Sequence, residues 1–147
     1  MSDAVLHEAA ESTRSVLMER VFAHAPEKVW RALTESPLLA QWLLKNDFEP
    51  VVGRGFQFRV DPMPTWDGVI ACEVQVVEPL KRLAYSWNAL GLESVVTFTL
   101  TAAEGGTHLR MEQTGFRADQ QAAFQGATYG WQRFLGGLEQ ILEGGVA

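Results

Sequence analysis

The spacing of apolar residues changes along the chain and predicts the order of its elements. The segment SVLMERVFAHAP, residues 15–26, is rich in β-branched and aromatic residues and predicts a strand that its proline ends. Two short helices are predicted next, in APEKVWRALTESP (residues 25–37) and in PLLAQWLL (residues 37–44). The first has a proline and a glutamate in its first turn, where both favour a helix start. Two helices before any further strand are an unusual order.

The middle of the chain predicts strands, because apolar and polar residues alternate with a period of two. The segments are residues 47–60, which hold two strands (47–52 and 56–60) on either side of GRG, and residues 69–79, 81–87, 93–101 and 107–116. A proline-containing loop, DPMPTWDG, lies between residues 60 and 69. AEGG, between the last two, is a hairpin turn signal. We expect an antiparallel meander with one solvated face and one apolar face. In the second segment the inward residues are expected to be Ile70, Cys72, Val74 and Val76.

A long helix is predicted at the end of the chain. Apolar residues recur every three or four positions over about 22 residues from near Asp119, and Gly144 and Gly145 end the pattern. Three glycines interrupt its stretch from residue 128 to residue 142, and each costs about 1 kcal/mol relative to alanine in a helix interior. The glycines indicate either that another part of the chain packs very close to this helix or that the helix leaves a space beside it. The apolar stripe is Phe124, Ala127, Trp131, Phe134, Leu138 and Ile141, widened by Leu135 and Leu142, and the interrupting glycines are Gly130, Gly136 and Gly137.

The predicted order is therefore strand, two helices, six strands and a long helix. This order defines an α+β fold in which a curved antiparallel sheet wraps round the closing helix, so that each buries its apolar face against the other. The length of 147 residues fits one domain.

Charge and composition narrow the classes of function. The formal charge of −6 and the isoelectric point near 5.0 argue against nucleic acid and against an electrostatic membrane anchor. No run of roughly 18 apolar residues suggests a membrane span, and the acidic start of the chain is not expected to be a secretory signal. The single cysteine, Cys72, excludes an internal disulfide and fits the reducing cytoplasm, which is the expected location.

Four segments of the chain carry a family resemblance: FAHAPEKVWRALTESPLLAQW at residues 22–42, WDGVIACEVQVVEPLKRLAYSW at 66–87, ESVVTFTLTAAEGGTHLRMEQTGF at 93–116 and GWQRFLGGLEQIL at 130–142. In this order they resemble the START-like (Bet v 1-like, SRPBCC) helix-grip superfamily. Within it, the chain resembles the family of homologues of the activator of the 90-kDa heat shock protein's ATPase.

The resemblance implies a helix-grip fold with a cavity between the sheet and the closing helix. It also implies a single START-like domain, residues 14–147, whereas the polar start of the chain predicts a flexible N-terminal segment, residues 1–13. Because relatives keep a cavity near the middle of that helix, Gly130 is expected to spare space there. Gly136 and Gly137 are expected to allow close packing or a bend.

The superfamily includes lipid carriers, antibiotic-sequestering proteins, polyketide cyclases and a chaperone-activating domain. The resemblance therefore implies first the binding of a small hydrophobic or aromatic ligand, without a cofactor. One alternative is an interaction module that acts on a chaperone. Another is a cyclase-like or hydrolase-like enzyme, although a non-enzymatic role is favoured. Homodimerisation through a sheet edge is compatible with the pattern.

The candidate ligand-binding residues face the predicted interior. Strand parity places Gln113, where relatives often carry a histidine, on the apolar face, so its amide must bond either backbone at the strand end or a ligand. Tyr85 and Trp87 face inward with one polar atom each, and Trp42 and Trp66 are placed to form a rim. A packed core explains such residues about as well as a pocket does. The expected ligand-binding set is Trp42, Phe56, Phe58, Trp66, Cys72, Tyr85, Trp87, Phe98, Met111, Gln113, Phe124, Gly130, Trp131 and Phe134.

No metal, cofactor or catalytic motif is expected. The histidines His7, His24 and His108 lie far apart and show no ligand spacing. The only G-x-G, residues 53–55, lies between extended segments, whereas a phosphate cradle needs a helix N-terminus.

An enzyme would need a buried acid or base. Parity offers only Tyr85 as an inward titratable group. Asp61 and Asp67 flank the proline loop and would serve only if they turned into the cavity beside Tyr85.

Overall fold

The computed structural model describes residues 13–144 and has the predicted order of elements. The predicted flexible segment, residues 1–13, lies outside the described residues except for Thr13, which begins the first strand; His7 also lies outside them. The strands are β1 (Thr13–Phe22), β2 (Lys45–Asn46), β3 (Gly55–Arg59), β4 (Val69–Glu78), β5 (Arg82–Ala89), β6 (Leu92–Ala103) and β7 (Gly106–Arg117), and the helices are α1 (Pro26–Thr34), α2 (Ser36–Trp42) and α3 (Gln121–Glu143).

One antiparallel sheet of seven strands, in the order β1-β7-β6-β5-β4-β3-β2, curves round α3. Strands β3 to β7 form the predicted meander, in which each strand pairs with the next along the chain. The first strand returns to pair with the last, so that Val16 lies opposite Gln113. The predicted α+β helix-grip fold is confirmed.

The alternation of β4 differs from the prediction at one point. The pairing of β4 with β5 shifts register between Val74 and Val76. A bulge of this kind adds one residue to a strand and exchanges the faces of all residues beyond it. Accordingly Val77 packs against the core, and the predicted inward position of Val76 is wrong.

The first two helices close one end of the sheet and hold α3 against it. The indole Nε1 of Trp42, at the end of α2, donates a hydrogen bond of 2.8 Å to the carbonyl of Ala32 in α1. Gly137 of α3 lies beside the backbone of Trp42, and a Cβ there would stand 3.6 Å from the Trp42 carbonyl oxygen, an ordinary contact. The interpretation of close packing therefore fits Gly137, although glycine is not required there. At Gly136 a Cβ would meet nothing within 4 Å, so no close neighbour explains that glycine.

Candidate functional site

A cavity of about 630 Å³ lies between the sheet and the N-terminal half of α3. Its size falls within the range of small-molecule sites, roughly 300–1,000 Å³. The walls come from the segment after α2, the loop between β3 and β4, the β5–β6 hairpin, β7 and α3. They are formed by Leu44, Val60, Met63, Trp66, Ile70, Trp87, Ala89, Leu90, Leu92, Gln113, Gln120, Ala123, Gly126, Ala127, Gly130, Trp131 and Phe134.

The sequence of α3 explains why the space lies at this end of the helix. Ala123, Gly126, Ala127 and Gly130 follow the spacing i, i+3, i+4, i+7 and so share one helical face. These small residues line the cavity, whereas larger residues fill the C-terminal half of the same helix. The buried residues of α3 are Trp131, Leu135, Leu138 and Leu142.

Gly130 has the surroundings that the prediction assigned to it. A Cβ at this position would meet only the Phe134 side chain, at 3.8 Å, and Gly130 lies on the cavity wall. A larger side chain would therefore extend into open space and reduce the volume of the cavity.

Gln113 sits at the inner end of the cavity and joins α3 to three strands. Its Oε1 accepts a hydrogen bond of 2.8 Å from Trp131 Nε1, and its Nε2 donates one of 2.9 Å to Ser94 Oγ. Ser94 Oγ in turn donates to the carbonyl of Trp87 at 2.7 Å. Side chains thus satisfy the amide, an arrangement that neither sequence alternative described. One amide hydrogen and one lone pair of Gln113 remain beyond these bonds.

Aromatic rings form the wall around Gln113. Trp87 and Trp131 lie 5.6 Å apart between ring centroids, and Trp131 meets Phe134 edge to face at 5.5 Å. On the side away from the cavity, Trp87 packs on Phe58 at 5.1 Å. Ring pairs in these geometries add about 0.5–1.5 kcal/mol beyond burial, so these contacts stabilise the arrangement of the wall.

The mouth of the cavity carries apolar residues that are open to solvent. Met63 is 55% exposed and Leu90 is 69% exposed. Trp66 is held at the same rim by a hydrogen bond of 3.1 Å from its Nε1 to the carbonyl of Val69. Leu90 has a φ of +54°, a left-handed conformation that is costly for a leucine. Because this leucine is exposed and strained, it does not contribute to the stability of the fold, and its place at the cavity mouth makes it a candidate ligand-binding residue.

The turn that carries Leu90 is tied to the start of α3 by one side chain. Gln120 Nε2 donates a hydrogen bond of 3.2 Å to the carbonyl of Gly91, the next residue in the turn. Gln120 Oε1 accepts from the backbone N–H of Arg117 at 2.9 Å. The mouth therefore has a defined width, set by the side chain of Gln120.

The predicted ligand-binding set divides into two groups. One group lines the cavity, and the other lies in the packed core and does not reach its wall. Phe124, in the second group, is half-buried against Phe116 and the guanidinium of Arg14. The cavity group is Trp66, Trp87, Gln113, Gly130, Trp131 and Phe134; the core group is Trp42, Phe56, Phe58, Cys72, Tyr85, Phe98, Met111 and Phe124.

Tyr85 and Cys72 are the titratable residues of the core group. Burial raises the pKa of the Cys72 thiol to about 12. Burial also raises the pKa of the fully buried Tyr85 well above its ordinary value, and the nearby Cys72 adds to this. Both groups are therefore neutral at physiological pH. The Tyr85 hydroxyl is the one buried side-chain polar atom without a hydrogen-bond partner among residues 13–144.

The wall of the cavity contains no ionisable side chain within the described part of the chain. Asp61 and Asp67 are both exposed, and Asp67 Oδ1 accepts a hydrogen bond of 3.1 Å from the backbone of Val69. His108 instead pairs with Glu19 across the β1–β7 ladder at 2.7 Å. Among residues 13–144 there is no group of three or more side chains that could hold a metal ion, and no helix is long and apolar enough to cross a membrane.

Sequence reasoning placed Trp66 at the rim and Gly130 on the cavity, but it missed the other residues of the mouth and the other small residues of the helix face. Two signals could have found them: a leucine before glycine in a hairpin turn, and alanine and glycine at helical spacing. The wall residues outside the predicted set are Leu44, Val60, Met63, Ile70, Ala89, Leu90, Leu92, Gln120, Ala123, Gly126 and Ala127.

Solved structures share this fold. Protein MLL2253 of Mesorhizobium loti is 52% identical, with a TM-score of 0.84 over 88% of this chain and 97% of that one. DynU16, a protein of the dynemicin biosynthetic locus, is 25% identical with a TM-score of 0.75, over 88% of this chain and 47% of that one. The Aha1 dimer of Colwellia psychrerythraea, 21% identical with a TM-score of 0.77 over 88% of this chain and 96% of that one, shares the fold.

No significant match was found among curated proteins. The comparison with family models, in contrast, agrees with the structural comparisons. The family model described as "Activator of Hsp90 ATPase homolog 1-like protein" matches residues 23–143, most of the chain. The chain therefore belongs to the family of activator of Hsp90 ATPase homolog 1-like proteins, with the helix-grip fold of the START-like superfamily.

Proposed function

We propose that this protein binds a small hydrophobic or aromatic molecule in the cavity between the sheet and α3. The observation that carries the proposal is the cavity itself, about 630 Å³ with an almost wholly apolar and aromatic wall. Sites for small molecules have this composition, with a few polar groups that orient the ligand. Membership of a family with a helix-grip fold supports the same conclusion.

The arrangement of the wall favours an open cavity over a collapsed one. The rings of Trp87, Trp131 and Phe134 support one another, and Gln113 fixes Trp131 by a hydrogen bond. α3 also contributes Ala123, Gly126, Ala127 and Gly130, whose side chains are too small to fill the space. The hydrogen bond to Gln113 and the ring contacts oppose a rotamer change that would move Trp131 into the cavity.

N-phenyl-1-naphthylamine, an uncharged aromatic probe, provides the test. It becomes fluorescent in apolar surroundings, and Trp87 and Trp131 would transfer excitation energy to it. We expect saturable binding of one probe per chain and a rise in the melting temperature with probe concentration.

Two glycine-to-leucine variants of α3 locate the site. Gly130→Leu places its side chain in the cavity, and we expect its dissociation constant for the probe to be at least about tenfold weaker, or 1.4 kcal/mol. Gly136→Leu is the matched control, because a Cβ there meets nothing within 4 Å and Gly136 lies off the wall. Both replacements gain helix propensity, so both variants are expected to fold. Equal affinity in the two variants, or no saturation in the parent protein, would falsify the proposal.

An interaction module is the second candidate, and the family description favours it. In this case a surface acts on a chaperone of the 90-kDa heat shock type, and the cavity serves only for packing. The ATPase rate of the cognate chaperone, measured with increasing amounts of this protein, tests the candidate. A rate that stays unchanged at saturating concentrations removes it.

Self-association through an edge of the sheet is a further element of the proposal. Strand β1 forms one edge of the sheet over Thr13–Phe22 and carries the exposed apolar residues Leu17 and Val21. The Colwellia psychrerythraea protein, which shares the fold, is described as a dimer. Sedimentation equilibrium tests this proposal, since Val21→Lys should shift a dimer to monomer, and a monomeric parent protein contradicts it.

A further inference from the structure

The cavity wall also restricts the chemical class of the ligand, an inference that rests on the proposed function. No aspartate, glutamate, histidine, lysine or arginine lines the cavity in the described chain. A charged ligand group would lose its hydration there without gaining a counter-charge, and unpaired charges are the most costly groups to bury.

The basic side chains near wall residues in sequence do not line the cavity. Arg59 precedes Val60 but is exposed and bonds to Gln57 on the same face of β3. Arg117, which lies near Gln120, pairs with Asp119 at 3.3 Å. Lys45 follows Leu44 and Arg133 precedes Phe134; both are exposed, and the Arg133 guanidinium lies over the Tyr129 ring. All four cations therefore lie outside the wall against which a ligand would pack.

The inner end of the cavity nevertheless offers one place for a polar group. Gln113 is 1% exposed and keeps one amide hydrogen and one lone pair beyond its bonds to Ser94 and Trp131. A carbonyl could accept that hydrogen, and a hydroxyl could donate to that lone pair. The other polar side chain of the wall, Gln120, is likewise bonded at both ends of its amide, but it lies at the mouth and is only partly buried, so water can reach its remaining positions.

The helix side of the cavity restricts the shape of the ligand. The row from Ala123 to Gly130 spans seven residues of rise, about 10 Å, and carries no side chain larger than a methyl group on the cavity face. Trp87 stands on the sheet side. A flat ring system fits between such walls.

From these features we infer that the ligand is an uncharged, planar aromatic molecule whose carbonyl or hydroxyl group bonds to Gln113. Carboxylates and sulfonates of the same size are excluded. The polar end of the ligand lies inside, and its apolar end faces Met63 and Leu90 at the mouth.

A matched ligand pair tests the exclusion of charge. 2-Naphthol is neutral at pH 7 and 2-naphthoate is an anion of almost the same size. Measured by displacement of N-phenyl-1-naphthylamine, the naphthoate is expected to bind at least about 30-fold more weakly than the naphthol. If the probe binds and the two competitors are equal, the inference is wrong while the proposed function stands. If the probe does not bind, the proposed function itself fails.

A lysine introduced on the wall tests whether the lack of a counter-charge causes the exclusion of anionic ligands. Ala123 lines the cavity near the mouth, and Ala122 is its exposed neighbour off the wall. Ala123→Lys is expected to narrow the ratio of the naphthol and naphthoate affinities at least about fivefold, because the naphthoate can then bind with its carboxylate at the mouth, paired with the cation, instead of beside Gln113. Ala122→Lys is expected to leave this ratio unchanged. A ratio that Ala123→Lys does not change overturns the electrostatic explanation.

The role of Gln113 is tested by comparing 2-naphthol with naphthalene, which lacks the hydroxyl. The preference for 2-naphthol in the parent protein should fall by about threefold or more in Gln113→Leu, since the hydrogen bond is lost. Should that variant not fold, the side-chain amide resonances of Gln113 in the parent protein provide the same test. They are expected to shift more with 2-naphthol than with naphthalene, and equal shifts contradict the inference.

Discussion

At the scale of single residues, the Tyr85 hydroxyl is the least expected feature of the core. It is fully buried, and the rings of Phe48, Phe56, Phe58 and Phe98 surround it. A buried hydroxyl without a partner costs about 1–3 kcal/mol. The ring contributes to stability through packing, whereas its oxygen reduces stability.

Tyr85→Phe is therefore expected to raise the free energy of unfolding by about 1 kcal/mol. Urea denaturation measures the change. Tyr129→Phe is the control, since Tyr129 is 62% exposed and should show no difference. A destabilised Tyr85→Phe variant would mean that the hydroxyl has a partner.

The second prediction at this scale concerns Cys72 at alkaline pH. Its pKa rises from 9.0 to about 12 because the thiol is buried. Between these values the unfolded chain has lost the thiol proton and the folded chain keeps it, so stability falls as the pH rises. The contribution is at most about 1.4 kcal/mol per pH unit. Urea denaturation at pH 8, 9.5 and 10.5 should show a shallower fall for Cys72→Ala than for the parent protein; parallel curves contradict the assignment.

At the scale of elements, two hairpin turns carry leucines in a left-handed conformation. Leu90, between β5 and β6, has a φ of +54° and lies at the cavity mouth. Leu80, between β4 and β5, has a φ of +66° and lies away from this cavity. The same backbone strain thus occurs once with a proposed binding role and once without.

Replacement by asparagine, which tolerates this conformation, separates stability from binding. Both Leu90→Asn and Leu80→Asn are expected to raise the free energy of unfolding by about 0.5–1 kcal/mol. Only Leu90→Asn should weaken binding of N-phenyl-1-naphthylamine, by about threefold. If both variants bind like the parent protein, Leu90 has no part in the site.

At the scale of the whole molecule, the sequence predicted the fold better than the site. The period-two strands, the paired short helices and the closing stripe leave one arrangement that buries every apolar face. The cavity wall was harder to predict. Phe56 and Trp87 both occupy inward positions of strands in the sequence pattern, and only the packing of the folded chain shows that Phe56 lies in the core while Trp87 lines the cavity. The bulge in β4, which exchanges Val76 for Val77, depends on pairing with β5 and leaves no clear pattern in the strand itself.

The volume of the cavity depends on residues that contribute nothing to a hydrophobic pattern. Ala123, Gly126 and Gly130 matter because they are small, and only the position of α3 against the sheet shows what they leave open. Gly130 could be selected from the sequence because the resemblance placed the space there. Gly136 interrupts the helix in the same way, but it does not line the cavity. A Cβ there would meet nothing within 4 Å, so the close packing expected at Gly136 is absent.

A crystal structure of the protein with 2-naphthol tests the central claim most directly. The account predicts electron density for the ring between Trp87 and the stretch from Ala127 to Gly130, with the hydroxyl within hydrogen-bond distance of the Gln113 amide. Density on the outer surface alone, or a cavity closed by the side chains of Trp87 and Trp131, would contradict it.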